Sequence, residues 1–156
     1  RGVGEVKAIQ LACVGELSAR IWKTAASEKT VVFDAPSKVA AFYMEEMRHL
    51  EQENLKLLLL NTKNILLKDT TVSIGTVNAS CATPREIFIE ALRSRACGII
   101  LLHNHPSGDP TPSREDCLFT ERVVEAGSLM GVPLLDHIII GDNSYVSLRE
   151  RGIFET

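Results

Sequence analysis

The chain has 156 residues, 45% of them hydrophobic and 24% charged, a composition that excludes disorder and fits one ordinary soluble domain with a sizeable core and room for a small appendage. A formal net charge of −3 provides no broad basic field of the kind that holds nucleic acid by counterion release. The apolar run from Ala96 to Leu102 falls far short of the roughly 20 residues that cross a bilayer. No signal-peptide pattern opens the chain, so a cytoplasmic protein is expected, and Arg1 in place of Met suggests a fragment lacking its natural N-terminal part. The four cysteines (Cys13, Cys81, Cys97, Cys117) form no Cys-x-x-Cys pair and are expected to be buried free thiols.

In chain order, Gly2-Val3-Gly4 leads into an amphipathic helix over Val6–Trp22, with Ile9, Cys13, Leu17 and Ile21 recurring every fourth position. Lys23–Thr30 loses that pattern and reads as a linker, followed by an extended Val31-Val32-Phe33 at the start of the main domain. Asp34-Ala35-Pro36-Ser37 is helix-start chemistry, with Val39, Phe42, Tyr43, Met47 and Leu50 at helical spacing and Arg48 and His49 in the last turn. Asn54–Leu60 reads as a buried strand. Asn61-Thr62-Lys63-Asn64 then turns into Ile65–Lys68 and on to Val72–Val77, giving two or three antiparallel strands.

Thr83-Pro84-Arg85-Glu86 has a cap, a proline in the first helical position and an acid three residues after the cap. The helix it starts should reach about Arg95 and bury Ile87, Phe88, Ala91 and Leu92. Gly98–Leu102 is an apolar strand running into His103. A Pro/Gly/Asp loop follows, then a helix from about Arg114 to Met130 with Leu118, Val123 and Leu129 inward, stopped by Gly131. Leu134–Ile140 and Tyr145–Leu148 are strands joined by the turn Gly141–Ser144. This order favours an α/β fold, a mixed sheet sandwiched by helices, over a doubly wound parallel one.

The segment from His103 to Asp116 concentrates the chemistry. Two histidines one residue apart at a strand end project from one face, since side chains alternate along a strand, and Asp116 can return to the same ion from the first turn of the next helix. A hydrolytic metal site needs three protein ligands and one open position, and His103, His105 and Asp116 supply that set. Two imidazoles and a carboxylate suit Zn²⁺, although iron, cobalt or manganese fill the same geometry. Ser113 and Asp116 also have a purely structural reading as an N-cap and its reciprocal acid. Asp109 reads as a turn residue, Asn104 as a residue facing away from the ion and tying the loop, and His137 as a packed histidine or one standing behind the ligands. Arg85 fits helix-start solvation as well as it fits a contact to the site or a substrate.

His103-Asn104-His105 with Ser113 and Asp116 resembles the JAMM motif of the metal-dependent MPN (JAB) isopeptidases. The run His103–Ser113 with Leu135-Asp136-His137-Ile138-Ile139-Ile140-Gly141 is similar to the RadC-like branch, carried by bacteria, over about residues 35 to 152. The resemblance implies a cytidine-deaminase-like layered fold and a zinc held by His103, His105 and Asp116. It also implies an upstream glutamate as general acid/base, for which Glu53 is the matching position and Glu51 the rival. Ser113 would donate toward the developing oxyanion or the bound water.

Residues 1–30 are accordingly expected to be a fragment resembling the second half of a helix-hairpin-helix module plus a linker, and residues 31–156 an MPN/JAB hydrolase domain. Gly2-Val3-Gly4 would offer backbone N–H groups to a DNA phosphate in the full-length protein. The expected function is zinc-dependent hydrolysis of an amide bond in a peptide or protein substrate by metal-activated water. The alternative is a DNA-associated repair or recombination factor with an accessory metal domain. No membrane partner is expected, and oligomeric state is not legible.

Overall fold

The apolar run at residues 98–102 becomes, together with His103 and Asn104, the middle strand of a five-stranded sheet, because a strand covered on both faces is largely hydrophobic instead of alternating. The computed structural model describes residues 4–28, 31–75 and 83–155. It divides into two units, Arg1–Val31 and Val32–Thr156. The first unit is the helix α1 (Glu5–Glu28). The second contains, in order, α2 (Pro36–Met47), β1 (Asn54–Leu60), β2 (Leu66–Ile74), α3 (Pro84–Arg93), β3 (Gly98–Asn104), α4 (Arg114–Met130), β4 (Leu134–Ile140) and β5 (Tyr145–Ser147).

The sheet order is β2-β1-β3-β4-β5. β1 runs antiparallel to both β2 and β3, β3 and β4 are parallel, and β4 and β5 are antiparallel, so the expected mixed sheet is present. Period-two alternation divides its two faces. Leu55, Leu57, Leu59, Ile99, Leu101 and Ile139 pack with Ile87, Phe88 and Ala91 of α3 and with Phe119 and Val123 of α4. On the other face Lys56 of β1 pairs with Glu46 of α2 at 2.8 Å, and Val39 of α2 lines a small cavity with Ile100 and Ile138. Helices therefore cover both sides of the sheet.

Several sequence expectations change. The linker placed at residues 23–30 is helical as far as Glu28, since Lys-Thr-Ala-Ala-Ser-Glu loses the apolar stripe but keeps good helix formers. The expected apolar stripe of α1 is exposed at Ile9 and Leu17, 58% each, and at Cys13; periodicity names a face without naming what covers it. The side chain of Ile21 lies outside the described residues, as do Gly2, Val3, Cys81 and residues 76–77 of the expected second strand. Cys97 is exposed in the turn before β3 and Cys117 is half-buried, so the expectation of buried thiols fails at the described cysteines. Ile65–Lys68 and the stretch from Val72 merge into the single strand β2, with Ile65 itself bridged to Val32.

Helical phase explains two further differences. In α4 the buried face carries Asp116, Phe119, Thr120, Val123 and Gly127. Leu118 and Leu129 lie about 200° and 220° around the axis from Asp116, and they are 47% and 88% exposed. Leu92 of α3, about 100° from Ala91 in the middle of that helix's buried stripe, is 51% exposed.

Glycine makes a close approach possible in α4. A Cβ on Gly127 would stand 2.7 Å from the carbonyl oxygen of Val132 and 3.3 Å from the Phe88 ring, which lets α4 lie close against its own return segment. Because the nearer atom is backbone and cannot swing aside, Gly127→Ala is expected to destabilise the protein by about 1–3 kcal/mol. The measurement is a urea unfolding curve, in which the midpoint falls while the slope stays the same.

Candidate metal centre

Alternation along β3 places His103 on the same face as Ile99 and Leu101, beneath α3 and α4, where it is fully buried. His105 follows just past the strand end, its backbone N–H donating to the Ile140 carbonyl at 2.9 Å. Asp116 arrives from the first turn of α4 and is 4% exposed. The site thus lies at the carboxyl ends of two adjacent parallel strands, the usual crevice for ligands in α/β sheets.

The three side chains converge through named atoms. His103 Nε2 is 3.0 Å from His105 Nε2 and 3.4 Å from Asp116 Oδ1, and His105 Nε2 is 3.5 Å from Asp116 Oδ2. Four-coordinate tetrahedral binding with bonds of about 2.0–2.1 Å sets neighbouring donors about 3.3 Å apart, so these separations fit a divalent ion. The donor set fits too. His105 Nδ1 donates to the Asp109 carbonyl at 2.8 Å, which leaves Nε2 of the neutral ring as a lone pair. Asp116 Oδ2 accepts from the Ser113 backbone N–H at 2.8 Å and from its hydroxyl at 2.6 Å and also lies 3.5 Å from His105, while Oδ1 lies toward His103. Among the described residues this is the group of His, Cys, Asp and Glu side chains that can hold a metal.

Charges in the site follow from burial and contact. Burial pushes the pKa of His103 down to about 4, against the opposing charge of Asp116. The Asp116 hydrogen bond raises that of His105, with smaller contributions from the Asp109 carbonyl and the charge of Glu53. Burial acts to raise the pKa of Asp116, but the His105 hydrogen bond, the charge of His103 and the donors of Ser113 outweigh it and hold the carboxyl well below its ordinary range. The acid is ionised and ready to bind a cation.

Both readings of Ser113 and Asp116 meet in one turn. Ser113 Oγ accepts from the Asp116 N–H at 3.1 Å while the carboxylate accepts from the Ser113 N–H, a reciprocal cap that also aims Asp116 at the histidines. The hydroxyl hydrogen of Ser113 is engaged by Asp116, so a contact to an oxyanion requires it to leave that partner. Asp109 holds His105 through its backbone and turns its own carboxylate to the Thr111 N–H at 2.9 Å. Arg85 is exposed in the first turn of α3.

Glu53 precedes β1 and is half-buried, while Glu51 is exposed. Continuing the register Leu55↔His103 by two residues sets Glu53 opposite His105, consistent with its charge acting on that ring. Asn104 points to the other side of β3 and holds the segment in front of β1: its Oδ1 accepts from the Asn54 N–H at 2.8 Å and its Nδ2 donates to the Gln52 carbonyl at 3.1 Å. The tie expected to the ligand loop runs instead to residues 50–54, because alternation turns Asn104 toward the segment before β1.

Other supports were not visible in the sequence motif. Gly108, with φ of 82°, donates to the His105 carbonyl at 2.9 Å and accepts from the Asp142 N–H at 2.9 Å. A Cβ on Gly141 would collide with the Gly108 carbonyl oxygen, so the turn after β4 backs the ligand loop closely. Arg48, at the end of α2, donates to Asp142 at 3.3 Å and to Asn143 at 3.0 Å and braces that turn. Thr120, one helical turn after Asp116, is buried against His137; its i, i+4 spacing from the acid was the available signal.

The sequence profile of the RadC-like JAB domain matches residues 33–153. A UPF0758 protein of Clostridium botulinum (strain Okra) is 51% identical over 152 residues, covering 97% of this chain and 66% of its own length. A UPF0758 protein of Halalkalibacterium halodurans is 53% identical over 151 residues, covering 97% of this chain and 65% of its own. One from Desulforamulus reducens is 50% identical over 153 residues, covering 98% and 67% respectively. The chain therefore spans about two thirds of the length of the curated relatives it matches.

Proton competition gives a direct check on the ligand set. In the metal-free protein His105 stays protonated to above its ordinary 6.5, whereas His103 stays neutral down to about 4 and Asp116 stays ionised. One proton must leave for each ion bound between those limits. With Zn²⁺ as probe, affinity is expected to rise about tenfold per pH unit from about pH 4 to the raised pKa of His105, then level off. Calorimetric titration in buffers of different ionisation enthalpy measures both the slope and the proton released. An affinity independent of pH across that window excludes His105 as a ligand.

Proposed function

The chain belongs to the RadC-like JAB domain family, and on that premise we propose that it is a zinc-dependent hydrolase of amide bonds, acting on a peptide or on an isopeptide-linked protein. The observation that carries this reading is the convergence of His103 Nε2, His105 Nε2 and Asp116 at separations of 3.0, 3.4 and 3.5 Å. Three protein ligands leave one position of a tetrahedral ion for water or substrate, which distinguishes a catalytic site from a closed structural one.

When bound, the ion supplies Lewis-acid chemistry, polarising a carbonyl and making water nucleophilic near neutral pH. The protein's own groups do the rest. Glu53, beside His105, takes the proton from the attacking water and delivers it to the leaving amine, which must depart protonated because an amide anion is too basic to leave. Ser113 holds Asp116 through Oδ2 and thereby fixes the carboxylate against His103 and His105. Asn104 pins the backbone on either side of Glu53, so the carboxylate approaches from a fixed strand end. These are positioning and proton-transfer tasks, each resting on a preorganised contact.

Metal-loaded protein is the material for the test, screened against peptides and isopeptide-linked substrates. The wild type is expected to cleave, and Glu53→Gln to lower the rate by about 10²–10⁴-fold with unchanged metal content. A Glu53→Gln variant as active as the wild type removes Glu53 from the reaction. Metal-loaded, folded wild type that cleaves no member of the screen counts against the hydrolase reading itself.

A further inference from the structure

Behind the ligand cluster lies a buried polar chain that the three-ligand description leaves unused. His137 is on β4, fully buried, with Nε2 at 2.8 Å from His103 Nδ1 and Nδ1 at 2.6 Å from the Thr120 hydroxyl. Thr120, also fully buried, stands 2.6 Å from the backbone carbonyl of Asp116. The chain therefore runs from one metal ligand, His103, to the backbone of another, Asp116.

The direction of each hydrogen bond follows from what the groups carry. A carbonyl has no proton to give, so the Thr120 hydroxyl donates to Asp116. That hydroxyl has a single hydrogen, so toward His137 it can only accept, and His137 must carry its proton on Nδ1. His137 is fully buried with a hydroxyl and another imidazole as its side-chain partners, surroundings that favour the neutral ring, so its Nε2 is a bare acceptor. His103 then donates from Nδ1, and its Nε2, the atom facing His105 and Asp116, keeps its lone pair.

We propose, resting on the metal-centre reading above, that His137 backed by Thr120 is a positioning residue: it holds His103 in the tautomer protonated on Nδ1 and so keeps Nε2 as the metal donor. A ligating histidine is commonly fixed by an acceptor on its second nitrogen, usually a carboxylate, a carbonyl or water. A neutral imidazole does this without adding a negative charge, so the net charge of the site is set by Asp116 and the ion.

The test uses the whole chain, first metal-free and then titrated with Zn²⁺ alone in competition with a chelator. In the metal-free wild type, long-range ¹H–¹⁵N spectra are expected to show His103 protonated on Nδ1 and bare on Nε2. His137→Leu removes the acceptor. Thr120→Val, nearly isosteric, removes the acceptor for His137 Nδ1–H and lets that ring reverse its tautomer, turning an N–H toward His103. Both are expected to weaken Zn²⁺ binding by about 10–100-fold. His137→Gln, whose amide oxygen can accept from His103, is expected to stay within about threefold of the wild type and to keep its tautomer.

His103 protonated on Nε2 in the metal-free wild type overturns the proposal, as do folded Leu and Val variants that match wild-type affinity. If His137→Leu does not fold, Thr120→Val and His137→Gln still decide it. A wild type that takes up no Zn²⁺ overturns the metal reading together with this role, whereas variants equal to a Zn²⁺-binding wild type overturn only the role of His137.

Discussion

A buried carboxylate sets the terms for this protein. Asp116 is ionised at 4% exposure, a state that is costly in a protein interior unless donors and positive charge surround it. Ser113 supplies two donors from the helix start, and His103 and His105 lie within 3.5 Å on the open side. The helix phase follows from this placement. With Asp116 turned inward, Thr120, Val123 and Gly127 are inward too, and Leu118 and Leu129 face out despite their hydrophobicity. One capping turn thus fixes α4, aims a ligand and offsets the cost of the buried charge.

The middle strand divides the remaining work between its two faces. His103 continues the face of Ile99 and Leu101 and is held from behind by His137. The next residue, Asn104, points the other way and secures the segment before β1. Ligand and proton-transfer candidate are therefore positioned by adjacent residues of a single strand. Because that strand is the central one and wholly buried, neither group rests on a freely moving loop.

The ligand loop itself obtains its rigidity from elements distant in sequence. Gly141 allows the turn after β4 to press against Gly108, and Arg48 at the end of α2 clamps that turn. The Asp109 carbonyl fixes the His105 ring, so a residue whose side chain resembles a ligand acts through its backbone. Such supports determine how closely the donors hold their separations, and catalytic geometry tolerates little slack.

The sequence by itself determined the mixed α/β class, the positions of most elements, and the group His103, His105 and Asp116. Each of these is written locally: an apolar run, a His-x-His at a strand end, a capping pair at a helix start. It also placed Asn104 away from the ion, since strand alternation alone decides that. Tertiary structure decided what depends on partners: which side of α4 is inward, that Ile9, Cys13 and Leu17 of α1 are exposed, and that the described cysteines are not fully buried. It also decided what Asn104 grips and which groups stand behind the ligands. His137 and Thr120 are 17 residues apart and meet only because β4 lies alongside β3 beneath α4. Periodicity specifies the direction of a side chain relative to its own backbone, but the atom it meets is fixed only when distant segments pack.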